Sequence, residues 1–134
     1  MQEFRVAVKA LILDKDNNLL LVRRSKKDKI AAGEWEVPGG RLEIGESPFE
    51  GLKRETKEET AIDIEIEQPV NVRHFTNSDN VIITMIIFKC KALCKNVMFE
   101  DKELEEFSWE TISKAKEKIN KHYLKDLEML EKLV

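Results

Sequence analysis

At 134 residues, with 42% hydrophobic and 37% charged, the chain is long enough to enclose one sizeable core and short for two. A formal net charge of −3 argues against a dedicated nucleic-acid surface, which ordinarily shows a basic excess, so a phosphate-bearing partner would need local cations or a metal. The two cysteines, Cys90 and Cys94 in "KCKALCK", supply neither a disulfide framework nor a four-thiolate zinc site, and are expected to be reduced packing residues of an intracellular protein.

The amino-terminal "MQEFRVAVKALILDKDNN" is interrupted by Glu3, Arg5 and Lys9, and no apolar run approaches bilayer length. The expectation is a cytoplasmic protein with neither signal nor membrane span. Phe4 to Leu13 carries a strand pattern, "DKDNN" turns the chain, and "LLLVRR" begins a second strand, so a hairpin opens the domain. "SKKDKIAAGE" reads as a basic loop containing Lys26, Lys27 and Lys29. "WEV" is then a short strand stopped by Pro38 and the double glycine Gly39-Gly40.

Ser47-Pro48 marks a helix start, with Ser accepting an orphan backbone N–H, Pro suited to the first helical position and Glu50 completing a capping box. The helix is expected to run to about Thr60. "AIDIEIEQPVNVRHF" alternates Ile62, Ile64 and Ile66 against acids, a half-buried strand. "TNSDN" turns it, and "VIITMIIFKCKAL" has the apolar continuity of a strand buried on both faces. "ELEEFSWE" predicts a short edge strand. The tail predicts helix in two pieces broken near Asn120, with Tyr123, Leu127, Leu130 and Val134 on an apolar stripe. This interleaving, without a steady βαβ rhythm, points to an α/β mixed sheet with helices packed on its faces.

Taking Phe49 as the origin, helical geometry puts Leu52, Thr56 and Thr60 in one packing arc of about 80°, and Glu55, Glu58 and Glu59 in a neighbouring arc of about 100°. Three carboxylates on one stripe repel one another, and Arg54 and Lys57 are outnumbered. A solvated acidic face is one explanation. A hard divalent cation is the other, because Mg²⁺ takes a few carboxylates together with waters and substrate phosphates.

The segment resembles the Nudix box of the Nudix hydrolases: Gly40, five residues, Glu46, seven residues, Arg54-Glu55, two residues, Glu58-Glu59, then Ala61 and Ile62. It departs at Thr56, where the family prefers an aliphatic residue, and at Ala61, where it prefers glycine. The order of "LLLVRR", a basic loop, "GEWEVPGGRLEIGESP" and "ELEEFSWE" is similar to the MutT-like branch. The resemblance implies a single Nudix domain over 1–134, with the box at 40–62. It also implies the Nudix fold, an α/β/α sandwich with a mixed sheet and a loop-helix motif, and Mg²⁺- or Mn²⁺-dependent hydrolysis of a nucleoside diphosphate linked to another moiety.

Carried over by position, the resemblance implies metal ligation by Glu55, Glu58, Glu59 and the Gly39 carbonyl, with Arg54 holding box glutamates in place and Glu46 supporting the loop. Either Glu55 or an acid outside the box would activate water. Glu103 stands where the MutT-like branch often keeps an extra acid, with Glu105 and Glu106 as neighbours. The expected substrate-binding set is Arg23, Arg24, Gly40 and Asn120. Arg23 matches the family's strand arginine, and the Asn120 amide can read a purine edge or cap a helix. Trp35, Phe75 and Phe88 can stack a base or belong to the core.

The expected partner is a small-molecule nucleotide, with no nucleic acid and no membrane, bound by a monomer or homodimer. A nucleoside triphosphate cut to monophosphate and pyrophosphate is favoured, with 8-oxo-dGTP as a subsidiary candidate. ADP-ribose, another nucleotide sugar or coenzyme A is the alternative. A sensor of the same fold without catalysis is the rival from another class, opposed by the presence of all three box glutamates.

Overall fold

The computed structural model describes residues 2–27, 32–99 and 103–134. Lys29 of the predicted basic loop lies outside the described residues. The elements run β1 (Glu3–Leu13), β2 (Leu19–Arg24), β3 (Trp35–Glu36), β4 (Gly39–Arg41), α1 (Pro48–Thr60), β5 (Ile64–Thr76), β6 (Val81–Ala92), β7 (Leu104–Glu110), α2 (Ile112–Lys118), a 3₁₀ turn (Lys121–Tyr123) and α3 (Leu124–Glu131). No helix among the described residues is long and apolar enough to cross a membrane.

The strands form one mixed sheet in the order β3-β2-β1-β6-β5, with β4 also on β1 and β7 on β2. β1 runs parallel to β6 from Glu3↔Val81 to Leu13↔Lys91, and the remaining pairings are antiparallel. Alternation along β1 divides the core. Ala7, Leu11 and Leu13 face Ile112, Ala115, Leu127 and Leu130 of α2 and α3, whereas Val8, Ala10 and Ile12 face Leu52 of α1. The result is an α/β/α sandwich.

α1 starts with half of the predicted capping box: the Ser47 hydroxyl accepts the Glu50 N–H at 3.1 Å and Pro48 occupies the first turn, while no return bond from the Ser47 N–H to the Glu50 side chain is made among the described residues. It also ends in a left-handed residue although that residue is alanine. Ala61 adopts φ 63° and donates its N–H to the Lys57 carbonyl at 2.9 Å. Leu52, Thr56 and Thr60 are buried, but Phe49 is 56% exposed, with the Phe88 ring 5.6 Å from its own between centroids. Helical side chains lean towards the N-terminus, so one in the first turn projects beyond the layer beneath it.

Two further expectations are corrected. In β6, Val81, Ile83, Met85 and Ile87 are buried, while Ile82, Thr84 and Ile86 are only partly so. The core beneath α1 takes up Phe88 and Cys90 from this strand, so the other face is fully covered only at that end. In the tail, Tyr123, Leu127 and Leu130 are buried, but Val134 lies past the end of α3 and is exposed.

Candidate active site

The double glycine and α1 meet at a cleft of about 490 Å³ lined by Arg24, Gly39, Gly40, Arg41, Glu55, Glu59, Glu103 and Leu104. Close approach fixes both glycines. Gly39 has φ +140°, and a Cβ there would fall 2.0 Å from the Val8 carbonyl oxygen. At Gly40 a Cβ would lie 2.6 Å from Glu55 Oε2, so the Glu55 carboxylate rests directly on the bare backbone. The Gly39 N–H donates to Glu59 Oε1 at 3.1 Å, joining β4 to the last turn of α1.

Arg54 organises the acids around the cleft. Its guanidinium grips Glu46 with two bonds, Nε to Oε2 at 2.6 Å and Nη2 to Oε1 at 2.9 Å, and stands 3.2 Å from both Glu55 and Glu58. It also donates to the Arg41 carbonyl at 3.3 Å. Arg54, followed by the Glu43 N–H, draws the Glu46 pKa down to about 2. The bonds to Glu46 hold the Arg54 pKa above its ordinary value. Such bidentate, charge-assisted contacts fix the plane of the guanidinium.

Glu59 differs in kind. Burial pushes its pKa up to about 8, reinforced by Glu55 and Glu36 and opposed by Lys9 and the Gly39 N–H. Burial also raises Glu55, against Arg54, with Glu58 adding to the rise. Acids that resist ionisation in a polar cleft are suited to a cation. Among the described residues no group of three or more acidic, histidine or cysteine side chains is arranged to hold a metal ion. Glu58 accounts for part of this, since its side chain is 61% exposed and turned to Arg54. The oxygens present on Glu55, Glu59 and the Gly39 backbone are the hard donors that Mg²⁺ or Mn²⁺ takes, and they fit such an ion together with water and phosphate oxygens.

The expected substrate residues divide. Arg24 lines the cleft, donates from Nη1 to Glu36 Oε1 at 3.1 Å and lies 3.5 Å from Glu103. Arg23 does not line it. Strand alternation and a register shift between Arg23 and Arg24 turn Arg23 to Glu105 and Glu106, 2.9 Å from each, with the Trp35 ring 5.9 Å away. Of the three neighbouring acids, only Glu103 lines the cleft. Asn120 is a cap: its side chain accepts the His122 N–H at 3.0 Å, and its own N–H donates to the Trp35 carbonyl at 2.8 Å. Phe88 is core, and Trp35 and Phe75 pack against the core while partly exposed.

Two residues behind the cleft went unread in the sequence. Lys9 is 8% exposed, and Glu36, also 8% exposed, lies 3.5 Å from its ammonium. Burial pulls the Lys9 pKa down, but Tyr123, Glu36 and Glu59 outweigh it, so the ammonium holds its proton more firmly than usual. The available signal was a charge at an inward-facing position of the "VAVKALIL" alternation.

The NUDIX domain family model matches residues 3–133. A MutT-like protein of Streptomyces ambofaciens is 32% identical over 118 residues, covering 88% of this chain and 71% of that protein. An 8-oxo-dGTP diphosphatase of Proteus vulgaris is 44% identical over 54 residues, 40% of this chain and 47% of its own length. The crystal structure of a MutT protein from Methanosarcina mazei Go1 superimposes with a TM-score of 0.85 at 26% identity, covering 98% of this chain and 95% of that one.

Proposed function

The chain belongs to the Nudix hydrolase family, enzymes acting on pyrophosphate bonds, and from that premise we propose that it cleaves a (deoxy)nucleoside triphosphate to monophosphate and pyrophosphate with Mg²⁺ or Mn²⁺. The observation that carries this reading is the convergence of Gly39, Gly40, Glu55 and Glu59 with Arg24 and Glu103 on one cleft. Oxidised purine nucleotides are included in the proposal because the Proteus relative is an 8-oxo-dGTP diphosphatase.

Glu55, Glu59 and the Gly39 carbonyl would hold the cation, with Glu58 released from Arg54 as a further ligand. When bound, the cation neutralises phosphate oxygens and makes water a stronger nucleophile. The protein's own part is positional. Arg54, clamped by Glu46, keeps Glu55 from collapsing into arbitrary rotamers. Arg24 presents a guanidinium to phosphate oxygens and compensates charge that grows on the leaving group. Glu55, or Glu103 across the cleft, accepts the proton of the attacking water.

The test is a screen of unmodified and oxidised nucleoside triphosphates, ADP-ribose, dinucleoside polyphosphates and coenzyme A with Mg²⁺ or Mn²⁺, followed by product identification. Pyrophosphate and a monophosphate from a triphosphate are expected. Cleavage of ADP-ribose alone would overturn the triphosphate assignment, and metal-dependent binding without turnover of any compound would leave a sensor.

A further inference from the structure

This inference rests on the reading of the cleft as a cation and nucleotide site. Lys9 sits in the middle of β1, on the same face as Ala7 and Leu11, where those neighbours are core residues. Its ammonium donates to the Val37 carbonyl at 3.1 Å, lies 3.5 Å from Glu36 Oε1 and stands 6.0 Å from the centre of the buried Tyr123 ring. At 8% exposure it cannot turn to water for its hydrogen bonds.

Lys9 also bonds the buried Tyr123, on the side of the core, and its other two polar contacts lead to the cleft. The first runs through backbone. Val37 is two residues before Gly39, the Lys9 backbone is in register with Gly39, and Ala10 N–H donates to the Pro38 carbonyl at 2.9 Å. The Lys9 stem also forms the wall on which Gly39 lies, since an added Cβ at Gly39 would meet Lys9 Cα and Cδ at 2.8 Å. Lys9 thus grips the Val37–Gly39 segment with its stem, its backbone and its ammonium. The second path runs through Glu36, whose Oε1 accepts from Arg24 Nη1 at 3.1 Å as well as from Lys9. One buried carboxylate oxygen is shared between a core cation and a cation of the cleft.

We propose that Lys9 is a positioning residue of the active site, setting the Gly39 carbonyl through the Val37–Gly39 backbone and setting the Arg24 guanidinium through Glu36, while touching neither substrate nor metal. A methionine would keep the stem and remove the donors. Val37 would then lose a hydrogen bond, and Glu36 would keep Arg24 as its remaining partner of this pair, drawing that guanidinium inwards. Metal affinity and substrate affinity should therefore fall together, although Lys9 lies behind both.

The experiment compares wild type with Lys9→Met, Lys9→Arg and the double variant K9M/E36Q. Three quantities are measured: melting temperature, Mn²⁺ affinity without nucleotide by electron paramagnetic resonance of the free ion, and kcat and KM on the triphosphate the wild type cleaves. Lys9→Met is expected to weaken Mn²⁺ binding and raise KM, each by about 10–100-fold, the scale for losing a residue that orients a ligand from behind. Lys9→Arg should recover part of both. The double variant, which removes both charges of the pair, should regain melting temperature without regaining Mn²⁺ affinity. Wild-type Mn²⁺ affinity and KM in Lys9→Met, or in the double variant if the single one does not fold, would overturn the role of Lys9 alone. A wild-type protein that binds no Mn²⁺ would overturn the reading of the cleft and this proposal with it.

Discussion

Glu59, half-buried at the cleft, and Asp126, fully buried, are acids on opposite faces of the sheet, and the protein treats them in opposite ways. Asp126, on α3, is fully buried and meets two donors, Asn71 Nδ2 at 2.8 Å and Arg73 Nη1 at 3.2 Å. Glu59, on α1, has one backbone N–H at 3.1 Å, no side-chain donor among the described residues, and the acids Glu55 and Glu36 set against the charge of Lys9. On the α3 face the charge is matched, and it ties a helix to β5. On the α1 face charge is left in excess beside a cleft. A matched buried acid contributes to holding the fold, whereas an unmatched one costs stability and is suited to binding something positive.

The contrast breaks most visibly if the matched acid is removed. Asp126→Ala strands the Arg73 guanidinium and the Asn71 amide and should cost about 3 kcal/mol of stability, read from urea midpoints, with Mn²⁺ affinity unchanged. Glu59→Gln should do the reverse. It leaves the melting temperature unchanged or higher and lowers kcat by about 10²–10³-fold, the scale for losing one main electrostatic element. Near-normal turnover at saturating Mg²⁺ would remove Glu59 from the mechanism.

A titration sharpens the same comparison. The Glu59 pKa of about 8 lies above its unfolded value, so between the two the folded protein holds a proton that the unfolded chain has released. Metal-free stability should therefore fall as pH rises through that window, by up to about 1.4 kcal/mol per pH unit from this group, and level off above pH 8. The slope is read as wild type minus Glu59→Gln, and an identical profile in the two proteins would refute it. Glu46 has the opposite sign. Its pKa of about 2 lies below the unfolded value, so its stabilisation is complete near neutrality and is lost as the medium is acidified towards pH 2.

The smallest effect expected is a gain. The Thr56 hydroxyl is buried in α1 without a hydrogen-bond partner among the described residues. Thr56→Val should raise stability by about 1 kcal/mol in thermal melts without altering kcat, because it removes an unsatisfied polar atom at nearly constant shape.

What could be read in the sequence follows the range of the interactions. The acidic stripe of α1 and the Ser47 cap were legible because spacings of a few residues set them, whereas the double glycine, read as the stop of a strand, itself pairs with β1 as part of β4. Arg24 and Arg23 were named together as substrate contacts, and strand alternation together with the shifted register of β2 on β7 separates them. Lys9 and Glu36 are 27 positions apart, and Arg73 and Asp126 are 53 apart, so nothing in local spacing announces either pair. Phe49 misleads for a different reason: its helical angle is right, but its place in the first turn leaves most of it uncovered.

The parallel ladder of β1 on β6 has a consequence for how the chain is made. The two strands are roughly 80 residues apart, so the centre of the sheet waits for a distant segment, a slow, high-contact-order step. During that wait "VAVKALILDKD" has no partner at the β6 edge, and an apolar strand of high β-propensity is a template for pairing with other chains. Lys9 interrupts that run with a strongly hydrated charge, the gatekeeper composition that discourages aggregation. The residue that lies buried behind the cleft in the finished protein would, in the nascent one, keep β1 in solution until β6 arrives.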